Sequence, residues 1–268
     1  MKKLVLCFVL CLYATLFSGP IQDRKIDPSA LLQLTSTLGI SQNADLISET
    51  QKKWLRKDNK ERWEMTEVCE NQVSFVLDWA KEQGFVDAWN PHDKIYDTAL
   101  LLGATTFRMK ERLNYLIGLW NQGICFNEVV WLTGDRPLDP KVDSLTDRCK
   151  TESEAARIIW DEANMPEQMR NLPTIFRPVA MKIEGTLTKR PNTKDTINAW
   201  LKTSPGSCKA LFVSNQPFCG YQFSVIKSVL PQEIQFDIVG PKSDIKKMRT
   251  PAATILDSVA RWMYMEGK

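Results

Sequence analysis

Five short apolar runs, each followed by a stretch with helical spacing, constrain this chain more than any other feature. The runs are Asp97-Thr-Ala-Leu-Leu-Leu102, Glu128-Val-Val-Trp-Leu132, Thr174 to Met181, Ala210-Leu-Phe-Val213 and Ile234-Gln-Phe-Asp-Ile-Val239. Between and after them the spacing predicts helices over about 107–122, 151–164, 193–203, 217–230 and 250–265. Strands that alternate with helices are joined by right-handed crossovers, which makes neighbouring strands parallel and puts helices on both faces of the sheet. The runs are nearly continuous hydrophobes, as expected of strands buried on both sides. The expected fold is α/β, a mainly parallel five-stranded sheet over residues 91–268 with helices on both faces. No internal repeat or low-complexity tract interrupts it.

Ahead of Pro91 the texture differs. Residues 20–90 show helical spacing and little β-branched clustering, which predicts an N-terminal helical lobe. Pro28 to Leu38 ends at Gly39, a natural helix stop. The stretch around Trp54, Leu55, Trp63 and Met65 is charged and helical. Val68, Gln72, Phe75, Val76 and Trp79 follow the rhythm of an amphipathic helix that ends near Gly84. The nine Trp residues are spread along the chain and read as core and helix–sheet packing.

Residues 1–19 are read apart from the fold. Met1-Lys2-Lys3, an apolar run from Leu4 to Phe17, and Ser18-Gly19-Pro20 have the layout of a secretory signal peptide. About 14 apolar residues fall short of the roughly 17–25 of a spanning helix. No clean small-x-small site precedes Pro20, so an uncleaved inner-membrane anchor stays open beside cleavage. Both readings give an exported protein, periplasmic or anchored on the periplasmic side, with membrane contact only through residues 4–17 if they are retained. A cytoplasmic enzyme with an apolar start is a third reading. The chain has no Asn-x-Ser/Thr site, which leans towards a bacterial envelope.

Charge and rare residues exclude several classes. Among the 268 residues, 35 Lys+Arg against 32 Asp+Glu give a net charge of +3, too small to imply a nucleic-acid partner. The lone His92 excludes a multi-His metal centre, and it precedes the first strand, away from the side where a catalytic pair would sit. Beyond the leader stand Cys69, Cys125, Cys149, Cys208 and Cys219, an odd number without a Cys-x-x-Cys. One bridge, such as Cys208 with Cys219, is conceivable; buried thiols serving as small hydrophobes are the plainer reading.

Ligands of open parallel sheets bind outside the carboxyl ends of the strands, so the residues after each strand carry the functional information. These are Gly103, Thr105 and Arg108, with Arg112 on the helix that follows; Thr133, Gly134 and Arg136; Asn192 and Thr193; and Ser214, Asn215 and Gln216. Strand-end glycines let backbone approach a ligand, and helix N-termini and Arg side chains favour phosphate or carboxylate. Together they predict a site for a small anionic, phosphate-bearing or nucleotide-like ligand. The Gly103 loop is neither a dinucleotide fingerprint nor a P-loop. No motif identifies a cofactor or a metal.

Each of these residues also has a plain structural reading. Thr151-Glu-Ser-Glu154 has the spacing of a capping box, so Glu154 is a helix cap or the best available acid–base group. Asn192-Thr193 with Asp195 reads equally as an N-cap, Asp135-Arg136 as a turn with a surface ion pair, and Ser214-Asn215 as a turn. Arg112 is expected to face out from its helix into solvent.

The order of these pieces resembles the SanA/ElyC/YdcF-like family, a domain of unknown function in bacterial envelopes, over roughly residues 95–242. Asp97 to Gly103, Arg112, Leu132-Thr-Gly134, Thr151-Glu-Ser-Glu154-Ala, Asn192-Thr193 and Val213-Ser-Asn215 carry the resemblance. It implies a Rossmann-like fold, an export or anchor segment, and a role in envelope integrity; a related cytoplasmic member looks like a binder of S-adenosylmethionine. The family's His and following Arg after the last motif are missing, since this chain reads Gln216-Pro-Phe218-Cys-Gly-Tyr-Gln222, and Thr196 replaces the family's second Asn. Neutral donors at Asn215, Gln216 and Gln222 suit binding better than proton transfer. Two functions follow: an envelope protein that binds, and by extension acts on, a phosphate-bearing ligand; or a non-catalytic interaction module that has kept the fold. An exposed aromatic patch over residues 40–80 would mark the second, and a packed lobe over a polar crevice the first.

Overall fold

The computed structural model describes residues 24–57, 62–185 and 187–267. The leader at 1–19 lies outside the described residues, as does the side chain of Trp63. Among the described residues no helix is long and apolar enough to cross a membrane.

Helices α1 (Pro28–Thr37), α2 (Leu46–Trp54) and α3 (Glu70–Glu82) come first, with a short 3₁₀ turn at Arg62–Glu64. The α/β part then runs β1 (Thr98–Leu102), α4 (Thr106–Asn121), β2 (Glu128–Gly134), α5 (Glu152–Glu162), α6 (Glu167–Arg170) and β3 (Thr174–Val179). It continues with a hairpin of β4 (Lys182–Glu184) and β5 (Leu187–Lys189), α7 (Thr193–Leu201), β6 (Cys208–Val213), α8 (Cys219–Lys227), β7 (Ile234–Val239) and α9 (Pro251–Glu266). The five expected strands and the helices between them are all present. The hairpin was not expected: its arms are three residues long, too short and too polar to register as apolar runs.

Five strands form one all-parallel sheet in the order β3-β2-β1-β6-β7, and β4 and β5 pair antiparallel apart from it. Counting only the strands of the large sheet, the chain moves outward from β1 to β3, then returns to the other side of β1 with β6. That is the Rossmann-like winding, and its topological switch lies between β1 and β6.

Alternate residues of each buried strand serve opposite faces. Leu100, Leu102, Val130, Leu132, Phe212 and Ile238 face one apolar cluster, with Trp200 of α7, Phe223 of α8 and Leu256 of α9. Leu101, Val129, Trp131, Leu211 and Val213 face the other, with Leu113 of α4 and Ile159 of α5. The N-terminal helices share the first cluster, since Leu34, Trp54 and Trp79 are buried in it. Trp79 Nε1 donates to Ala30 O at 2.8 Å, and Gln51 Nε2 to Ala260 O at 2.7 Å, tying α1 to α3 and α2 to α9. The lobe is a further layer over the α8–α9 side, with its tryptophan inside.

Candidate functional site

A cleft of about 1600 Å³ opens over the carboxyl ends of the strands. It reaches from the loop after β1 to α7, α8, α9 and the segment that follows α2. Gly103, Thr105, Arg108, Arg112, Gly134, Arg136, Asn192 and Thr193 line it. The structure therefore brings together eight of the twelve residues expected to meet the ligand. Thr133, Ser214, Asn215 and Gln216 are buried behind its wall.

Arg112 occupies the switch point, and the expectation that it faces solvent is corrected. It is 2% exposed. Its Nε donates to Asn215 Oδ1 at 2.6 Å, and its Nη1 to the carbonyls of Leu102 and of Gly103, the latter at 2.9 Å. The guanidinium thus joins the tips of β1 and β6. Its Nη2 makes no hydrogen bond among the described residues, is not sealed from solvent, and belongs to a side chain that lines the cleft. No described carboxylate lies within ion-pair distance of it. Burial pulls its pKa from 12.5 down to about 10, since a desolvated charge without a counter-ion is disfavoured.

The other two arginines expected at the tips are already paired. Arg136 is a buried hub, not part of a surface turn: it meets Asp143 through two bonds of 2.8 and 3.2 Å and Glu152 Oε2 at 2.7 Å. Burial lowers the Arg136 pKa, but the two carboxylates outweigh it and the net direction is up; Asp143 is held below the usual carboxylate range by the same pair. Arg108 contacts Glu111 at 3.1 Å. Glu111 also accepts from Asn215 Nδ2 at 3.1 Å, so Asn215 is a relay between Glu111 and Arg112, not a ligand contact.

The strand-end glycines also work differently from expectation. A Cβ on Gly103 would stand 2.1 Å from Glu152 Oε1 and 2.9 Å from Thr133 Cα. On Gly134 it would meet Pro191 Cγ at 2.8 Å. Both make room for protein atoms rather than for ligand. Gly134 N–H also donates to Glu152 Oε1 at 3.0 Å.

Glu154 is the cap of α5: its Oε2 accepts from Lys150 N at 2.7 Å and Thr151 N at 3.2 Å, it is exposed, and it does not line the cleft. The acid in the cleft wall is Glu152. Burial pushes its carboxyl up, and Arg136 and the Gly134 amide only partly offset this. Asn192 and Asp195 form the capping box of α7, so Asn192 is both cap and wall. Ser214 Oγ donates to Gln222 Oε1, and Gln222 lines the cleft. Gln216 turns away, donating to Gly84 O and Asp87 O at 3.0 and 2.9 Å. Gln216 is therefore a strut between the tip loop and the turn after α3.

Of the cleft's described lining, twelve residues are Lys or Arg and one, Glu152, is acidic. A chain of net charge +3 has concentrated its cations here. The N-terminus of α4 adds to this field, with no acidic residue in its first turn and with Thr105, Phe107 and Arg108 on the wall. Sequence reasoning missed Arg56, Arg62, Arg190 and Arg261, together with Tyr221. They lie far apart along the chain, and nothing local marks them; the 257–261 spacing of Asp and Arg on one helix face was the single available sign.

Nucleophilic alternatives lie elsewhere. His92 Nδ1 sits 3.0 Å from Asp237 on the edge strand β7, outside the cleft lining. Burial pushes the Cys219 thiol up to about 12. All five described cysteines are free, so the Cys208–Cys219 bridge is absent; Cys208 opens β6, whereas Cys219 opens α8 beyond the far end of that strand. Among the described residues no group of three or more His, Cys, Asp or Glu is placed to hold a metal. No family model, no curated protein and no solved structure matches the chain.

Proposed function

We propose that this protein binds a small phosphate-bearing ligand in the cleft above the β1–β6 switch point, with Arg112 as its anchor. The observation that carries this reading is the buried Arg112 guanidinium, which has no carboxylate partner among the described residues and an open Nη2 edge on the cleft. An anion there supplies the missing counter-charge, while the N-terminus of α4 and Gln222 offer further donors. Among the described residues the one acid in the cleft lining, Glu152, is engaged with Arg136. Binding is therefore the supported activity, and any reaction would use groups brought by the ligand or a partner. The resemblance to the SanA/ElyC/YdcF-like family, with the leader-like residues 1–19, extends the proposal to a setting in the bacterial envelope.

The alternative of a non-catalytic interaction module predicted exposed aromatics over residues 40–80. Of the two lobe tryptophans behind that alternative, Trp54 is instead buried in the core, which favours the ligand-binding reading, and the side chain of Trp63 lies outside the described residues. Thermal-shift screening against inorganic phosphate, nucleotides, sugar phosphates, prenyl phosphates and S-adenosylmethionine tests it. A ligand at 100 times its Kd stabilises by about 2.7 kcal/mol. Silence from every phosphorylated class would return the interaction module to first place.

A further inference from the structure

We infer that the cleft holds a second anion subsite, formed by Arg62, Arg261 and Tyr221, so that the ligand carries a diphosphate or longer phosphate chain. This rests on the anion-binding reading above and adds to it the number of phosphoryl groups.

The second subsite lies between α8, α9 and the turn at 62–64. One buried carboxylate, Asp257, accepts from Arg261 Nε and Nη2, both at 3.0 Å, from Arg62 Nε at 3.4 Å and from the Arg56 amide at 3.2 Å. Two guanidiniums thus share one counter-charge and leave a net positive centre, and both line the cleft. Arg56 stands close enough to Arg62, Arg190 and Arg261 for their repulsion to add to the burial that lowers its pKa to about 10. Arg62 Nη2 donates to Tyr221 Oη at 3.3 Å. Burial alone would raise the Tyr221 phenol, but Arg62 and Arg261 outweigh it and hold it below its ordinary value.

The two subsites are adjacent. Arg62 Cζ lies 4.1 Å from the centroid of the Phe218 ring, and Arg108 Cζ lies 5.5 Å from the same centroid. These guanidiniums cannot be farther apart than those two distances laid end to end, and Arg108 is one helical turn before Arg112. Tyr221, bonded to Arg62, lines the same cleft as Arg112. A single phosphate at Arg112 leaves the Arg62–Arg261 centre unmatched, whereas linked phosphates reach both. The cleft also exceeds the roughly 300–1,000 Å³ of an ordinary small-molecule pocket.

The test is isothermal titration of the purified chain with inorganic phosphate, pyrophosphate and tripolyphosphate. Pyrophosphate is expected to bind at least tenfold tighter than phosphate. Arg261→Gln should remove that gain while leaving phosphate affinity within threefold of the unsubstituted protein, and Arg62→Gln reads the same subsite should Arg261→Gln fail to fold. Pyrophosphate binding no tighter than phosphate, or variants that retain the full gain or weaken both probes equally, would overturn the second subsite and leave the Arg112 site standing. If neither probe binds, both readings fall.

Discussion

Replacing Arg112 by methionine distinguishes a ligand anchor from a structural strut. Burial lowers the guanidinium pKa from 12.5 to about 10 in the folded chain. At about 1.36 kcal/mol per pKa unit, keeping the charge there costs the ligand-free protein about 3 kcal/mol. The folded pKa lies below the unfolded one, so this cost is fully present below pH 10 and fades only as pH rises towards 12.5. At neutral pH all of it applies. Methionine removes the charge but leaves Leu102 O, Gly103 O and Asn215 Oδ1 each without a donor. Hydrogen bonds to a charged group contribute about 1.5–3 kcal/mol each, so losing three of them outweighs the relieved charge.

Stability of Arg112→Met, measured by urea unfolding, should therefore fall by about 1–6 kcal/mol relative to the unsubstituted chain. Phosphate affinity should fall with it. Hydrogen bonds to a charged group contribute about 1.5–3 kcal/mol each, and Nη2 offers two N–H groups, so Kd should rise more than about 100-fold. A folded variant that loses stability yet binds phosphate as before refutes the reasoning. Arg112 would then be holding β1 to β6, and its open edge would have no function.

Three further outcomes follow from the same contacts. Gly103→Ala forces a methyl into Glu152 and the β2 backbone, so calorimetric stability should fall by about 1–3 kcal/mol or more, even though the backbone there needs no special conformation. Glu154→Ala should cost about 0.5–2 kcal/mol through loss of the capping box and leave phosphate titrations unchanged; a tenfold weaker Kd would restore Glu154 to the site. Asp257 is held below the usual carboxylate range by Arg62 and Arg261 despite its burial. Its contribution is fully present above the unfolded value of about 4 and is lost as pH falls through the lower folded value. Asp257→Asn should therefore lower stability by about 3–5 kcal/mol at neutral pH and flatten the acid side of the stability profile; an unaltered acid side would remove Asp257 from the reasoning.

The sheet was legible because strands buried on both faces are rich in apolar residues, as β1, β2, β6 and β7 are, while the edge strand β3 is only half-buried and carries Arg177 and Pro178. What could not be read was where strand character ends in polar sequence. Lys182–Glu184 and Leu187–Lys189 pair only with each other, and Ile183 is 81% exposed, so burial left no mark on their composition. The lobe was legible as helices but not as a layer. The hydrogen bond from Gln51 to Ala260, 209 residues apart, has no local sequence counterpart.

The site divides along the same line. Strand-end positions follow from the fold, and most of them do meet at one cleft. Which arginine is committed and which is open depends on partners remote in sequence: Asp143 and Glu152 engage Arg136, while Arg112 has only carbonyls and an amide. Helical spacing put Arg112 on the solvent side because it counts side chains around an axis and carries no information about a long side chain reaching past its own turn. At the tip of β1, that reach takes the guanidinium to Asn215, 103 positions along the chain. Gln216 holds its position by bonding to Gly84 and Asp87, contacts that are structural and involve no proton transfer. The proposed anion site rests on a cleft lined by many cations, and Arg112 is the residue whose removal should test it.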